Sequence, residues 1–204
     1  MSLNEADSGA RPVAEIDKLH LESLRGNVSR FLREAGARYD RPGLRLLDVA
    51  PQDHAGARPH FPAAQIDTLD IDPASGATHI VDLCRDNART IPAESYDIVV
   101  CTEVLEHTLK PFSAVKEIRR LLKPGGLSLV STPFNFRIHG PLPDCWRFTE
   151  HGLRSLFDEE SGFEIVALDT LEDPHRFLMP IHYTVIARRR QNLPPPPPPQ
   201  RPRS

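Results

Sequence analysis

A basic excess, long apolar runs and paired cysteines are all missing from this chain, and each absence narrows the classes of function open to it. Lysine and arginine total 25 against 28 acidic residues, a net charge of −3, so no basic footprint points to nucleic acid. No apolar run approaches the ~18 residues needed to span a bilayer, and residues 1–12 lack the apolar core of a signal peptide. The three cysteines, Cys84, Cys101 and Cys145, show no Cys-x-x-Cys spacing, which suits reduced thiols in a cytosolic protein. A Gly-x-Gly-x-x-Gly loop is also absent, which argues against a nicotinamide dehydrogenase. The expectation is a cytoplasmic protein without a membrane partner.

What is present reads as one domain of alternating elements. Residues 1–12 and 191–204 are expected to be disordered, leaving a domain over 13–190. Ile16, Leu19, Leu24, Val28, Phe31 and Leu32 fall at helical intervals and predict an N-terminal helix over 13–35. Short apolar runs follow at 44–49, 65–71, 79–83, 96–101 and 127–131, the pattern of buried parallel strands. Before the last of these, Phe112, Val115, Ile118, Leu121 and Leu122 form a helical stripe closed by Lys123-Pro124-Gly125-Gly126. Thr149-Glu150 marks the start of another helix, and 163–168 with 181–187 read as a closing antiparallel pair. The tail carries six consecutive prolines. It is a candidate ligand for a proline-recognising protein, although an inert tail is the simpler reading.

Chemistry gathers where the strands end. Thr102-Glu103-Val104-Leu105-Glu106-His107 follows a Val/Ile-rich strand, at the edge where open α/β sheets bind ligands. One helical turn would put Glu103, Glu106 and His107 on one face. Asp48, Asp70 and Asp82 end or follow three successive strands. Their carboxylates form a row of acceptors suited to ribose hydroxyls and an exocyclic amine.

Over roughly residues 40–188 these motifs resemble the class I S-adenosylmethionine-dependent methyltransferases: Leu-Leu-Asp-Val-Ala, Leu-Asp-Ile-Asp-Pro, Val-Asp-Leu, Thr-Glu-Val-Leu-Glu-His and Leu-Lys-Pro-Gly-Gly. The resemblance implies an α/β, Rossmann-like seven-stranded sheet, mostly parallel, with a closing antiparallel hairpin and helices on both faces. It implies S-adenosylmethionine as cofactor, with Asp70 and Ile71 at the ribose, Asp82 and Leu83 beside the adenine, and Asp48, Val49, Ala50, Pro51 and Gln52 facing the methionine portion. The chain departs from the family at its first loop, where Ala50, Gln52 and His54 occupy the usual glycine positions. Pro51, Pro59 and Pro62 make the usual long helix there short or absent.

The Glu-x-x-Glu-His run is similar to that of metal-dependent methyltransferases acting on small-RNA ends and in the ubiquinone pathway. By that resemblance Glu103, Glu106, His107 and Asp144 would hold Mg²⁺, with His139 the other candidate for the last ligand. Without a metal, His107 could serve as general base, with Glu106 the other catalytic candidate. A third alternative is purely structural, with Glu106 pairing Lys110 along a helix. The loop 133–149 leaves the sheet where an acceptor would enter, and places His139, Asp144, Trp146 and Arg147 as substrate contacts. Trp146 and Phe148 could equally pack the loop, and arginines such as Arg137 and Arg147 are commonest on surfaces. The favoured acceptor is a hydroxyl of a small molecule or glycan, with nucleic acid disfavoured. The competing expectation is a non-catalytic methyltransferase-like binding module.

Overall fold

In the computed structural model, residues 14–51 and 55–191 are described. The expectations placed on the two termini and on Gln52 and His54 therefore lie outside the described residues, Gln191 excepted.

Seven strands form one sheet in the order β3-β2-β1-β4-β5-β7-β6. They are β1 (Arg45–Val49), β2 (Gln65–Asp70), β3 (His79–Ile80), β4 (Tyr96–Thr102), β5 (Leu122–Pro133), β6 (Phe163–Leu171) and β7 (His182–Arg189). The first five run parallel, and β7 lies antiparallel between β5 and β6. The chain moves outward from β1 through β2 and β3, then returns to β4 on the other side of β1. That reversal opens a crevice between the ends of β1 and β4.

Strand periodicity divides the core into two layers. Leu46, Ile98, Val100, Leu127 and Leu129 face helix α1 (Glu15–Tyr39), which contributes Phe31, Leu32 and Ala35. Leu47, Val99, Cys101 and Val130 face the other way, against Ala114, Val115 and Ile118 of α2 (Pro111–Leu121) and Leu153 and Leu156 of α3 (Glu150–Leu156). Thr149 caps α3 as expected, its hydroxyl accepting from the Gly152 N–H. Between β1 and β2 the described residues form only turns, in keeping with the three prolines there.

Several expectations are corrected. Helix α1 continues to Tyr39, and its first turns leave Ile16 and Leu19 exposed. Phe112 sits in the first turn of α2 and is 66% exposed rather than in the stripe. Strand β3 has only two residues, because Asp82 starts a turn by accepting the Cys84 N–H. Leu122 and the Lys-Pro-Gly-Gly run belong to β5: Leu122 pairs with Tyr96, and the register slips before Ile98 pairs with Leu127. Gly126 is needed there because a Cβ would lie 2.9 Å from the Asp97 carbonyl oxygen.

Candidate active site

The crevice is bordered by two non-glycine residues in the left-handed region, Ala50 (φ 48°) after β1 and Glu103 (φ 56°) after β4. That backbone costs an L-residue about 1 kcal/mol, and both are held by hydrogen bonds. The Ala50 N–H donates to the Leu69 carbonyl at 2.7 Å, and the Glu103 N–H donates to the Ser131 carbonyl at 3.1 Å.

On one side lie the acids expected to meet a cofactor. Asp48 is buried, and its Oδ2 accepts the Ala57 N–H at 2.7 Å. Burial pushes its pKa up to about 6, against the Ala57 hydrogen bond and the Arg58 charge. Gly56 (φ +55°) permits this contact, since a Cβ there would sit 2.2 Å from the Asp48 Oδ2. Val49 is buried beneath, and Pro51 is half-buried at the start of the turn. Asp70 closes β2 with Oδ1 accepting the Asp72 N–H at 2.9 Å, while Oδ2 has no hydrogen-bond partner among the described residues. Ile71 beside it is 67% exposed. Asp82 accepts from the Cys84 N–H and the Arg85 guanidinium, and Leu83 is buried.

On the other side, Glu103 is anchored. Its Oε1 accepts from the Ser131 hydroxyl and from His182 Nε2, each at 2.7 Å. The sequence reading assigned nothing to His182. The available signal was a histidine opening a strand between apolar neighbours, Ile181 and Tyr183, where burial follows.

Glu106 is the most unusual group. It lies in a short 3-10 turn over Leu105–His107, is fully buried, and neither carboxylate oxygen has a hydrogen-bond partner among the described residues. Burial foremost, then the Glu103 charge, raises its pKa well above the carboxylate range. Two imidazoles face it: Nε2 of His107 stands 3.8 Å and Nε2 of His139 4.0 Å from Glu106 Oε1. The Nδ1 of His107 meets the Pro143 carbonyl at 3.0 Å, and Nδ1 of His139 meets Asp144 Oδ2 at 3.1 Å. Both Nδ1 atoms therefore carry the proton, and in the neutral rings both Nε2 atoms are acceptors within 4.0 Å of Glu106 Oε1. Burial lowers the His107 pKa, which favours the neutral ring.

The loop after β5 folds back over this turn. The Cys145 and Trp146 N–H groups both donate to the Glu106 carbonyl, at 2.7 and 3.1 Å. Trp146 Nε1 donates to the Thr108 carbonyl at 2.7 Å, and its ring lies nearly parallel to that of Phe148. Two expectations change here. Asp144 is no free ligand, because its oxygens accept Arg147 at 2.5 and 2.7 Å and the His139 N–H at 3.0 Å. Burial opposes its ionisation, but these hydrogen bonds and the Arg147 and His139 charges hold its pKa down to about 2. Arg147 is no free substrate grip, because it also donates to the Phe136 and Arg137 carbonyls. The donors that converge, with one ligand atom each within 4.8 Å of one another, are Glu106, His107 and His139. Glu103 stands outside that group.

Grooves of about 340 and 360 Å³ lie at the opposite, amino edge of the sheet. There Asp97 is already paired with Lys123 at 2.9 Å. Glu106, with neither carboxylate oxygen hydrogen-bonded, and the two imidazoles beside it lie on the carboxyl edge.

Comparison with known proteins bears on the family and the fold. A model of the methyltransferase domain matches residues 20–168. A ubiquinone biosynthesis O-methyltransferase of Caulobacter vibrioides is 31% identical over 118 residues, 52% of this chain and 47% of that protein. One from Cereibacter sphaeroides is 28% identical over 141 residues, 60% and 55% of the two chains. The chain thus spans about half the length of the curated relatives it matches. In fold it is similar to an S-adenosylmethionine-dependent methyltransferase from Mesorhizobium loti, with TM-score 0.61, 16% identity, and 81% and 100% of the chains covered. A methyltransferase from Methanosarcina mazei gives TM-score 0.60 at 17% identity, covering 76% and 97%. With most of its length matched by the domain model and the strand order, crevice and acid row in place, the chain belongs to the class I S-adenosylmethionine-dependent methyltransferase family.

Proposed function

We propose that this protein transfers a methyl group from S-adenosylmethionine to a hydroxyl of a small molecule, with a divalent cation at Glu106, His107 and His139. The observation that carries the reading is the buried Glu106 carboxyl, without a hydrogen bond and faced by two imidazole Nε2 atoms. A buried acid left in that state costs free energy unless a cation or proton completes it.

Asp70 would accept the ribose hydroxyls through its uncommitted oxygen, with Ile71 and Leu83 lining the adenine and Asp48 to Pro51 backing the methionine end. The cofactor supplies a sulfonium methyl as electrophile. One carboxylate and two imidazoles suit a first-row cation such as Mn²⁺ better than Mg²⁺, which prefers oxygen donors. Such a cation lowers the pKa of a hydroxyl bound near it. Asp144 and the Pro143 carbonyl hold the two rings in the tautomer that presents Nε2, and Arg147 holds Asp144. Without a cation, His107 is the general base, its lowered pKa keeping it unprotonated at neutral pH.

The rim supports an apolar or aromatic acceptor over a glycan. Exposed Leu109, Phe112, Ile138, Leu142 and Trp146 lie at the start of α2 and on the loop over the turn. The relatives named for ubiquinone biosynthesis support oxygen as the methylated atom.

The test is calorimetric titration with S-adenosylhomocysteine, with Mn²⁺ or with chelator, followed by labelled methyl transfer to catechols, simple phenols and sugars. Cofactor binding with Mn²⁺-dependent transfer to a phenol is the expected result. No binding at millimolar S-adenosylhomocysteine would overturn the enzyme reading and leave the binding-module alternative.

A further inference from the structure

We propose that His182 is a positioning residue: a buried imidazole whose tautomer is set by Asn27 and which aims the Glu103 carboxylate into the crevice. The proposal rests on the reading of this edge as the methyl-transfer site.

The polarity of the contacts defines the arrangement. Arg30 Nη2 donates to Asn27 Oδ1 at 2.6 Å, so the Asn27 amide nitrogen is the atom 2.7 Å from His182 Nδ1. An amide nitrogen only donates, so Nδ1 must accept and the proton of the ring sits on Nε2. That proton is given to Glu103 Oε1, 2.7 Å away and 79 residues distant in sequence. Ser131 donates to the same oxygen. Both donors thus converge on Oε1, and Oε2 has no hydrogen-bond partner among the described residues. The Glu103 side chain is 24% exposed, whereas His182 is fully buried. Carboxylate and backbone are both pinned, the latter by the left-handed turn and its bond to Ser131. Oε2 then stands as a fixed acceptor for a hydroxyl or ammonium donor on a ligand.

A histidine retained for packing alone would not require this directionality. An aromatic carbocycle of similar size would fill the space between α1 and β7 without obliging Asn27 to be buried beside it.

Two readouts test this on the full chain. In ¹⁵N-histidine spectra the His182 signal, assigned by its loss in His182→Gln, is expected to show the Nε2–H form, and Asn27→Leu is expected to scramble it. An Nδ1–H or doubly protonated ring overturns the proposal. In turnover with a catechol acceptor, His182→Phe is expected to lower kcat/KM at least tenfold. His182→Gln, which keeps a donor near Nε2, should regain at least half of the logarithmic loss. Combining His182→Phe with Glu103→Gln should add less than twofold beyond the larger single loss. Losses that multiply, or a His182→Phe enzyme within twofold of wild type, overturn it. Should His182→Phe not fold, Asn27→Leu takes its place in the same cycle. Absence of any turnover by the wild type would count against the proposed activity, and the imidazole spectra would still decide the role of His182.

Discussion

Replacing Glu106 by glutamine should make the cation-free protein more stable and remove its response to a cation. In the wild type a fully buried carboxyl stands without a hydrogen bond, its Oε1 3.8 and 4.0 Å from two imidazole Nε2 atoms. A glutamine of the same shape brings two N–H donors to those two acceptors. Relieving an unsatisfied buried acid is worth about 1–3 kcal/mol, or roughly 2–12 °C in melting temperature for a domain of this size. The pH dependence has a defined sign. The folded pKa of Glu106 lies above its ordinary 4.5, so the folded state holds the proton more tightly than the unfolded chain. The contribution of Glu106 to stability is fully present below 4.5 and is lost as pH rises through its folded pKa, so the advantage of Glu106→Gln is larger at alkaline pH. A cation at about a thousand times its Kd would stabilise the wild type by about 4.1 kcal/mol and reverse the order of the two proteins. Thermal melts of both proteins, in chelator and in Mn²⁺, at pH 5.5 and 8, read all of this. A variant melting below wild type in chelator at pH 8, or equal Mn²⁺ shifts in both, would refute the reasoning.

Four further outcomes follow from the same geometry. Asp48→Asn should raise the melting temperature at pH 7.5 and not at pH 4. With its pKa raised from 3.8 to about 6, Asp48 contributes stability present below 3.8 and lost as pH rises through 6, about 3 kcal/mol in all. Gly56→Ala should cost about 2–4 kcal/mol in urea titrations, from the left-handed backbone and the clash with Asp48. Arg147→Met should take the guanidinium from Asp144 and leave it only its His139 contacts, cost about 1–3 kcal/mol, and speed amide exchange at Cys145 and Trp146. Asp70→Ala should weaken S-adenosylhomocysteine at least tenfold by calorimetry, from loss of a charged hydrogen bond worth about 1.5–3 kcal/mol.

The parallel half of the sheet was legible because β1 and β4 are almost wholly buried and rich in Leu, Ile and Val, while the half-buried β2 still carries Ile66 and Leu69 ahead of its terminal Asp70; all three fall within a residue of their expected bounds. The ends of β5 were not, because Lys-Pro-Gly-Gly has the composition of a helix stop and only pairing with Tyr96 makes it strand. Phe112 fits the α2 stripe by spacing, yet in the first turn of the helix it is Pro111 that is buried and Phe112 that is exposed. At the site, the acid row and the Glu106-His107 pair were visible as strand-end motifs. The choice between His139 and Asp144 was not, since both lie in one loop and only the Arg147 contacts show which is already engaged. His182 and Asn27, 155 residues apart, meet through the packing of α1 on β7, which no local pattern encodes.

The left-handed turn at Ala50 bears on why the first loop can do without its family glycines. Holding alanine there costs the folded state about 1 kcal/mol. Glycine would remove that cost but widen the unfolded ensemble, by about 0.4–1 kcal/mol in conformational entropy. The two effects nearly cancel, so folding is close to indifferent between the residues at position 50. What glycine would add is room for a ligand, and what alanine adds is a narrower choice of backbone shapes before one arrives.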